Sequence, residues 1–351
     1  MMLWRLLFAL PALVASAPSS PIPADFLTHL SPPGSLAPTS GPIDTTYTLL
    51  AILSGIEFYA LQPYTTASER CLFDASTVRI VPFVPGPRIP DWEGRIGLWS
   101  LFECGKKILA AGPPPETPEE WKEHRLSPAN CGVVYPAGQS LANLIFFSTE
   151  PDGGTSFTLG DPNANPVVAP AANVNTAKRS RKKRAPADDA DAALRSLSSP
   201  TQCSLPNFNP PSNGHPYIHA QIGDLGPPLP LTAIILTIAE FILHLAAQSP
   251  RPEYITALNE FESQEQGVYV SVQPARQAEG FLRPQYAHLI RGLRQVVLAM
   301  DAHRNIHPAG GGGETQDPSM QWRECDFVVL VQEATERVVL SGRVRKAVGR
   351  K

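Results

Sequence analysis

The sequence predicts an α+β protein built of two small α-β-α-β-β modules, read as an internal duplication, with disordered linkers around and between them. Three observations predict it. Helical and two-residue periodicities alternate in the same order in each half, prolines cluster between the periodic stretches, and a cationic run separates the halves.

In chain order, Met1 to Arg5 make a short cationic start and Leu6 to Val14 an apolar run too short to span a bilayer. Ala15-Ser16-Ala17 gives the small-x-small pattern that signal peptidase reads, so residues 1–17 are expected to be a signal peptide. Residues 18–42 are Pro, Ser and Ala with scattered Leu. Such a composition buries too little apolar surface to offset its ordering entropy, and a disordered spacer is expected there.

The first module is expected over 43–161. Tyr47 to Gln62 reads as an apolar helix, and Thr77 to Val84 as a strand in which Pro82 marks an edge or a bulge. Gly94 to Ala111 is a second helix, stopped by Gly112 and the prolines that follow. Ala142 to Ser148 and Ser156 to Gly160 then read as a hairpin across Glu150 to Gly154. Residues 162–227 form the expected linker.

The second module is expected over 228–346, before a basic tail at 347–351. Leu231 to Ala247 is an apolar helix ended by Pro250, and Gly267 to Gln273 alternates as a strand does. After Pro284, Tyr286, Leu289, Ile290, Leu293, Val296, Val297 and Met300 form a helical stripe, with His288, Arg291 and Gln295 expected on the outer face. Phe327 to Gln332 and Arg337 to Val344 close the module as a hairpin across Glu333 to Glu336.

Within the linker, Lys178, Arg179, Arg181, Lys182, Lys183 and Arg184 stand together, broken only by Ser180, and Asp188, Asp189 and Asp191 follow. A kexin- or furin-type protease has an acidic cleft that pairs with successive basic side chains on an extended backbone. Neither flank shows helical or strand periodicity, so cleavage after Arg184 is expected, with Lys178-Arg179 as a second site. Behind a signal peptide, nuclear or nucleic-acid roles for this run are disfavoured, as is the chain's net charge of -3 for a nucleic-acid binder. The expected location is extracellular.

Five cysteines, Cys71, Cys104, Cys131, Cys203 and Cys325, are candidates for disulfides in an exported chain. Their connectivity is open, and an odd number leaves one thiol free or paired between chains. They lack the short spacings of a zinc site, and no metal or other cofactor is expected. No stable membrane span is expected either: the helix 231–247 is short, flanked by prolines, and carries Glu240 and His244.

Candidates for chemistry are few. His215 and His219 stand four apart, but around a proline in a loop-like stretch. Glu240 and His244, with Thr237, share one face of their helix; an acid and an imidazole one turn apart can trade protons, or simply form a solvent stripe. Trp92, Trp99, Trp121 and Phe102 offer flat apolar faces for a sugar or lipid, though core filling is the simpler role. Gly310 to Gly313 lacks the Lys-Ser/Thr of a phosphate loop.

The plan of signal segment, spacer, small α/β module, basic cleavage site and second small module resembles fungal secreted preproteins, including killer-toxin and effector precursors. Those are usually richer in cysteine. The resemblance is one of organisation and implies an exported interaction protein with an unknown extracellular partner. The expected function is therefore that of a secreted, non-enzymatic binding or effector-like protein matured after Arg184. The alternative is a secreted hydrolase whose site is assembled from dispersed residues.

Overall fold

The computed structural model describes residues 26–31, 41–83 apart from 69, 92–111, 125–149 apart from 136, 137 and 139, 217–248 apart from 224, 253–275, 284–306, and 322–347 apart from 333–335. The first module comprises β1 (Leu27–Leu30), β2 (Ile43–Asp44), α1 (Thr45–Leu61), β3 (Phe73–Ala75), β4 (Val78–Phe83), α2 (Gly94–Ala111), β5 (Arg125–Leu126), β6 (Ala129–Val134) and β7 (Ser140–Ser148). The second comprises β8 (Tyr217–Gly223), α3 (Leu231–Ala247), β9 (Asn259–Ser263), β10 (Val268–Pro274), α4 (Tyr286–Ile306), β11 (Cys325–Gln332) and β12 (Glu336–Lys346).

Each module carries one five-stranded antiparallel sheet, ordered β1-β6-β7-β4-β3 in the first and β8-β11-β12-β10-β9 in the second. Numbered among the five strands of its own sheet, each order is the same, so the halves repeat one topology. The agreement extends to single hydrogen bonds. Ser68 N donates to Trp92 O at 2.6 Å where Ile255 N donates to Pro284 O at 2.7 Å, and Gly94 N to Thr66 O at 3.3 Å where Tyr286 N donates to Glu253 O at 3.1 Å. The closing hairpins slip register at one and the same step, between Val133 and Val134 in the first and between Val329 and Leu330 in the second. A bulge is a local device that needs a specific extra residue, and finding it in the same place twice extends the match beyond element order.

Local chemistry explains the helices. Asp44 caps α1, its Oδ1 accepting from Tyr47 N at 3.1 Å. Pro63 follows the helix directly, and α3 likewise ends before Pro250. Both α1 and α3 are apolar nearly all round, the mark of a helix covered on every side. α1 touches β3 and β4 on one side and α3 and α4 on the other; α3 touches β9 and β10 as well as α1 and α2. The layers therefore run sheet, helix pair, helix pair, sheet, and a single hydrophobic cluster crosses from one module to the other. Full burial of a Leu, Ile or Phe side chain contributes about 1.5–3 kcal/mol, and Leu49, Leu53, Ile56, Ile234, Ile238 and Ile242 all sit in that shared layer at 0 % exposure.

The contact of α1 with α2 depends on glycine. A Cβ built on Gly97 would lie 2.6 Å from the Tyr59 ring, and one on Gly55 2.5 Å from Leu101 Cδ1. The Tyr59 ring has nowhere to go. It is wedged against Phe73 and Trp92, and its hydroxyl accepts from Trp92 Nε1 at 3.1 Å and Cys71 N at 3.4 Å. Gly97→Ala is therefore expected to destabilise the protein by about 1–3 kcal/mol through overpacking. Gly223→Ala, where nothing lies within 4 Å of the added carbon, serves as the near-neutral reference in urea unfolding.

The structure adds strands to both expected modules. The residues 18–42, expected as a disordered spacer, contain β1, which pairs with β6 from Leu27↔Val134 to Leu30↔Cys131. The expected linker 162–227 contains β8, which pairs with β11 from Tyr217↔Gln332 to Gly223↔Asp326. Both are edge strands, ordered by a partner far away in sequence rather than by their own composition. The partner of Ala142 to Ser148 is β6, with Ala129↔Phe146, in place of the expected strand at 156–160, which lies outside the described residues. Pro82 is paired to Leu144 in a stretch of β4 that extends past its β3 partner, so one side of that stretch is edge-like, where a missing donor is tolerated. The expected signal peptide and the basic run also lie outside the described residues.

Candidate functional site

The second sheet turns one face to α3 and α4 and the other outward. Along β10, Val268, Val270 and Val272 are buried inward, leaving Tyr269, Ser271 and Gln273 to line the opposite side. Along β11, Cys325, Phe327 and Val329 point in, while Asp326 and Val328 join the outer surface. With Gln221 of β8, Glu260 of β9, and Ser341 and Arg343 of β12, these residues line an open groove of about 690 Å³. On the inner side of the same strand, the Phe327 ring fills the space that a side chain at Gly342 would take.

The polar groups of this face are organised. Tyr269 Oη donates to Glu260 Oε1, which bridges β10 to β9. Burial, and then the hydrogen bond to Glu260, push the tyrosine pKa up, with Arg343 pulling the other way. Arg345 binds Asp326 across the hairpin and lies 3.8 Å from Glu324. The result is a shallow surface with an aromatic ring, both signs of charge and several amide and hydroxyl groups. Such a surface suits binding of a ligand rich in hydroxyl or amide groups.

A second polar group lies at the seam between modules. Lys106 of α2 reaches Glu265 in the β9–β10 turn at 2.6 Å, a salt bridge from one module to the other. Glu240 of α3 accepts from Ser263 Oγ at 2.9 Å, and Glu103 of α2 lies near enough to Glu240 to feel its charge. Burial raises the pKa of both carboxyls. The Glu240 and His244 pair expected from the sequence thus falls in this seam, but His244 lies against Phe261, ring centroids 4.9 Å apart, and burial lowers its pKa. Thr237 is fully buried and donates back to Ala233 O at 2.7 Å, so it belongs to the core and not to a solvent stripe.

Comparison with known proteins finds no family model, no curated protein and no solved structure that matches this chain. The site therefore rests on its own geometry.

The remaining candidates are placed as follows. Cys104 and Cys131 form a disulfide that ties α2 to β6. Cys71 is also disulfide-bonded, and Cys325 is a buried free thiol whose pKa burial pushes up to about 12. Trp92, Trp99 and Phe102 are buried in the first module's core. His288, expected on the outer face of α4, is instead 6 % exposed, because its Nδ1 turns back to accept from Gln285 N at 3.0 Å at the helix start. His219 lies in β8, paired to Leu330. His215, Trp121, Cys203, Gly310 to Gly313 and the basic run 178–184 fall outside the described residues. Among the described residues no group of three His, Cys, Asp or Glu is placed to hold a metal ion, and no helix is long and apolar enough to cross a membrane.

Sequence reasoning missed the groove and the charge network of the seam. The alternation of Tyr269, Ser271 and Gln273 with three valines did signal one polar face. Nothing local signalled that β8, β9 and β12 would extend it.

Proposed function

We propose that the chain is the precursor of a secreted, non-enzymatic binding protein, effector-like in plan, which is matured by kexin-type cleavage after Arg184 and binds its partner with the open face of the second sheet. The observation that carries the binding part is the groove itself, a broad sheet face that sets Tyr269 and polar groups beside Ile222, Leu258 and Val328. The groups best suited to catalysis are engaged elsewhere: His288 at a helix start, His244 on Phe261, and Cys325 in the core with its thiol held protonated. Two features support the maturation part. The basic run 178–184 lies between the modules, and the modules adhere through their helices and the Lys106–Glu265 pair, so a cut there leaves the core contact in place. A disulfide also fits an oxidising compartment.

The hydrolase reading has one observation in its favour, the raised pKa values of Glu103 and Glu240 at the seam. One experiment separates the readings. The product secreted by a kexin-competent eukaryotic host is N-terminally sequenced and then applied to glycan and peptide arrays. The expected result is a new N-terminus at Ala185 and a retained ligand that is lost in Tyr269→Ala and Arg343→Ala. An intact intracellular chain overturns the maturation reading. Turnover of the array ligand, abolished by Glu240→Gln, replaces binding with hydrolysis.

A further inference from the structure

The outer face of the second sheet carries its charges in stripes. Glu260 and Glu262 stand on the edge strand β9, Tyr269 and Ser271 on β10, and Arg343 and Arg345 on β12. Cross-strand pairing sets them in rows: Glu260, Ser271 and Arg343 form one, and Glu262, Tyr269 and Arg345 the next. In each row acid and base lie two strand spacings apart, about 10 Å, too far to pair with each other. Arg345 turns to Asp326 instead, and Glu260 accepts from Tyr269. The side chains of Arg343 and Glu262 are exposed and form no hydrogen bond or ion pair among the described residues. The first sheet differs at the corresponding strands, where Asp74 of β3 and Arg79 of β4 face each other directly and pair at 2.7 and 2.9 Å.

Opposite charges held on either side of one strand are complementary to themselves. We propose that the outer face of the second sheet docks on the same face of a second copy of this chain, with a two-fold axis along β10. Turning a sheet over about that axis exchanges its flanks, so β9 of each copy lies over β12 of the other. Glu260 then meets Arg343 and Glu262 meets Arg345, each contact made twice, as an isologous interface requires. Tyr269 falls beside the axis and faces its own counterpart, and Leu258, 52 % exposed just before β9, is covered in the same step. Aligned face-to-face packing is one of the two ways in which sheets stack. The overlap is three strands wide, about 14 Å, so the contact belongs with the small, reversible interfaces. The face is the one assigned above to ligand binding, and a copy seated on it competes with the ligand. The dimer is thus a closed form, opened by dilution or by ligand.

The test uses the full secreted chain in sedimentation equilibrium from about 1 µM to about 1 mM, the span expected for a contact of this size. The wild type is expected to pass from monomer to dimer across that span, and to do so less readily as salt is added, because exposed pairs are screened. Glu260→Arg and Arg343→Glu are each expected to weaken self-association at least about tenfold by setting like charges together. Mixed in equal amounts, the two variants are expected to recover the wild-type dimer, since each supplies the charge that the other lacks. A variant that had merely unfolded could not do so. A wild type that stays monomeric overturns the inference, and so does a dimer that both variants leave intact or that mixing fails to restore. The array result decides the ligand reading separately: a monomer that retains its ligand removes the dimer alone, and a dimer that finds no ligand on the arrays supports the dimer and removes the ligand.

Discussion

At pH 8 the Glu57→Gln protein is expected to be more stable than the wild type by up to about 3 kcal/mol, and the advantage is expected to vanish below pH 4.5. Glu57 sits on α1 at 1 % exposure, within the helical layer that joins the modules. Burial pushes its pKa from 4.5 up to about 7, and the attraction of Arg294 and Arg291 of α4 offsets only part of that rise. Arg294 Nε stands 3.3 Å from its carboxylate. Between pH 4.5 and about 7 the folded protein therefore holds a proton that the unfolded chain has released. Stability from this group is complete below the unfolded value and falls as pH rises through the folded one. Each unit of difference is about 1.4 kcal/mol, which gives the figure above. Glutamine copies the shape of the protonated acid and removes the titration. Urea midpoints at pH 4.5, 6 and 8 check this, and the same pH dependence for wild type and variant would show that the carboxyl titrates alike in the folded and unfolded chain.

Removal of the Cys104–Cys131 bond is the second large effect. The bridge closes a loop with a sequence separation of 27, and constraining an unfolded loop of that size contributes about 3.5 kcal/mol. The Cys104→Ala/Cys131→Ala protein is expected to melt about 5 °C lower than the wild type, by the usual conversion for a chain of this size. Calorimetry without reductant measures it, and a shift of a degree or two would mean that the unbridged unfolded state is already compact. The matched helix starts and matched bulges put Val296 and Phe327 of the second module at the corresponding positions. There the same junction of helix and sheet is held by apolar packing alone, so the two modules are expected to differ in their response to reductant.

Much of this architecture was legible in the sequence, and what was not has a common physical cause. Gly94–Ala111 and Leu231–Ala247 are bounded by glycine and proline signals and have the limits that those signals imply. β10 alternates at the two-residue period, β11 is a continuous apolar run joined to β12 by a turn, and all three are strands where the sequence predicts them. The strands that went unread are short, polar or glycine-bearing: Leu-Thr-His-Leu in β1, Ile-Asp in β2, Phe-Asp-Ala in β3, Arg-Leu in β5, Ala-Asn-Cys-Gly-Val-Val in β6, Tyr-Ile-His-Ala-Gln-Ile-Gly in β8 and Asn-Glu-Phe-Glu-Ser in β9. A strand of this kind is ordered by its ladder partner, and the partner of β1 lies about a hundred residues away. The same holds for the seam. Glu57 reads as a lone acid in an apolar helix until the fold sets Arg294 beside it. Glu240 and Lys106 look like surface residues until the β9–β10 turn supplies Ser263 and Glu265.

With helices inside and sheets outside, the two sheets still end differently: Leu141, Ala142, Leu144, Ile145 and Phe146 bury both faces of β7, whereas β10 keeps Gln273 out in solvent and Tyr269 half-buried. Two copies of one topology have thus diverged, one sealed on either side and the other left open.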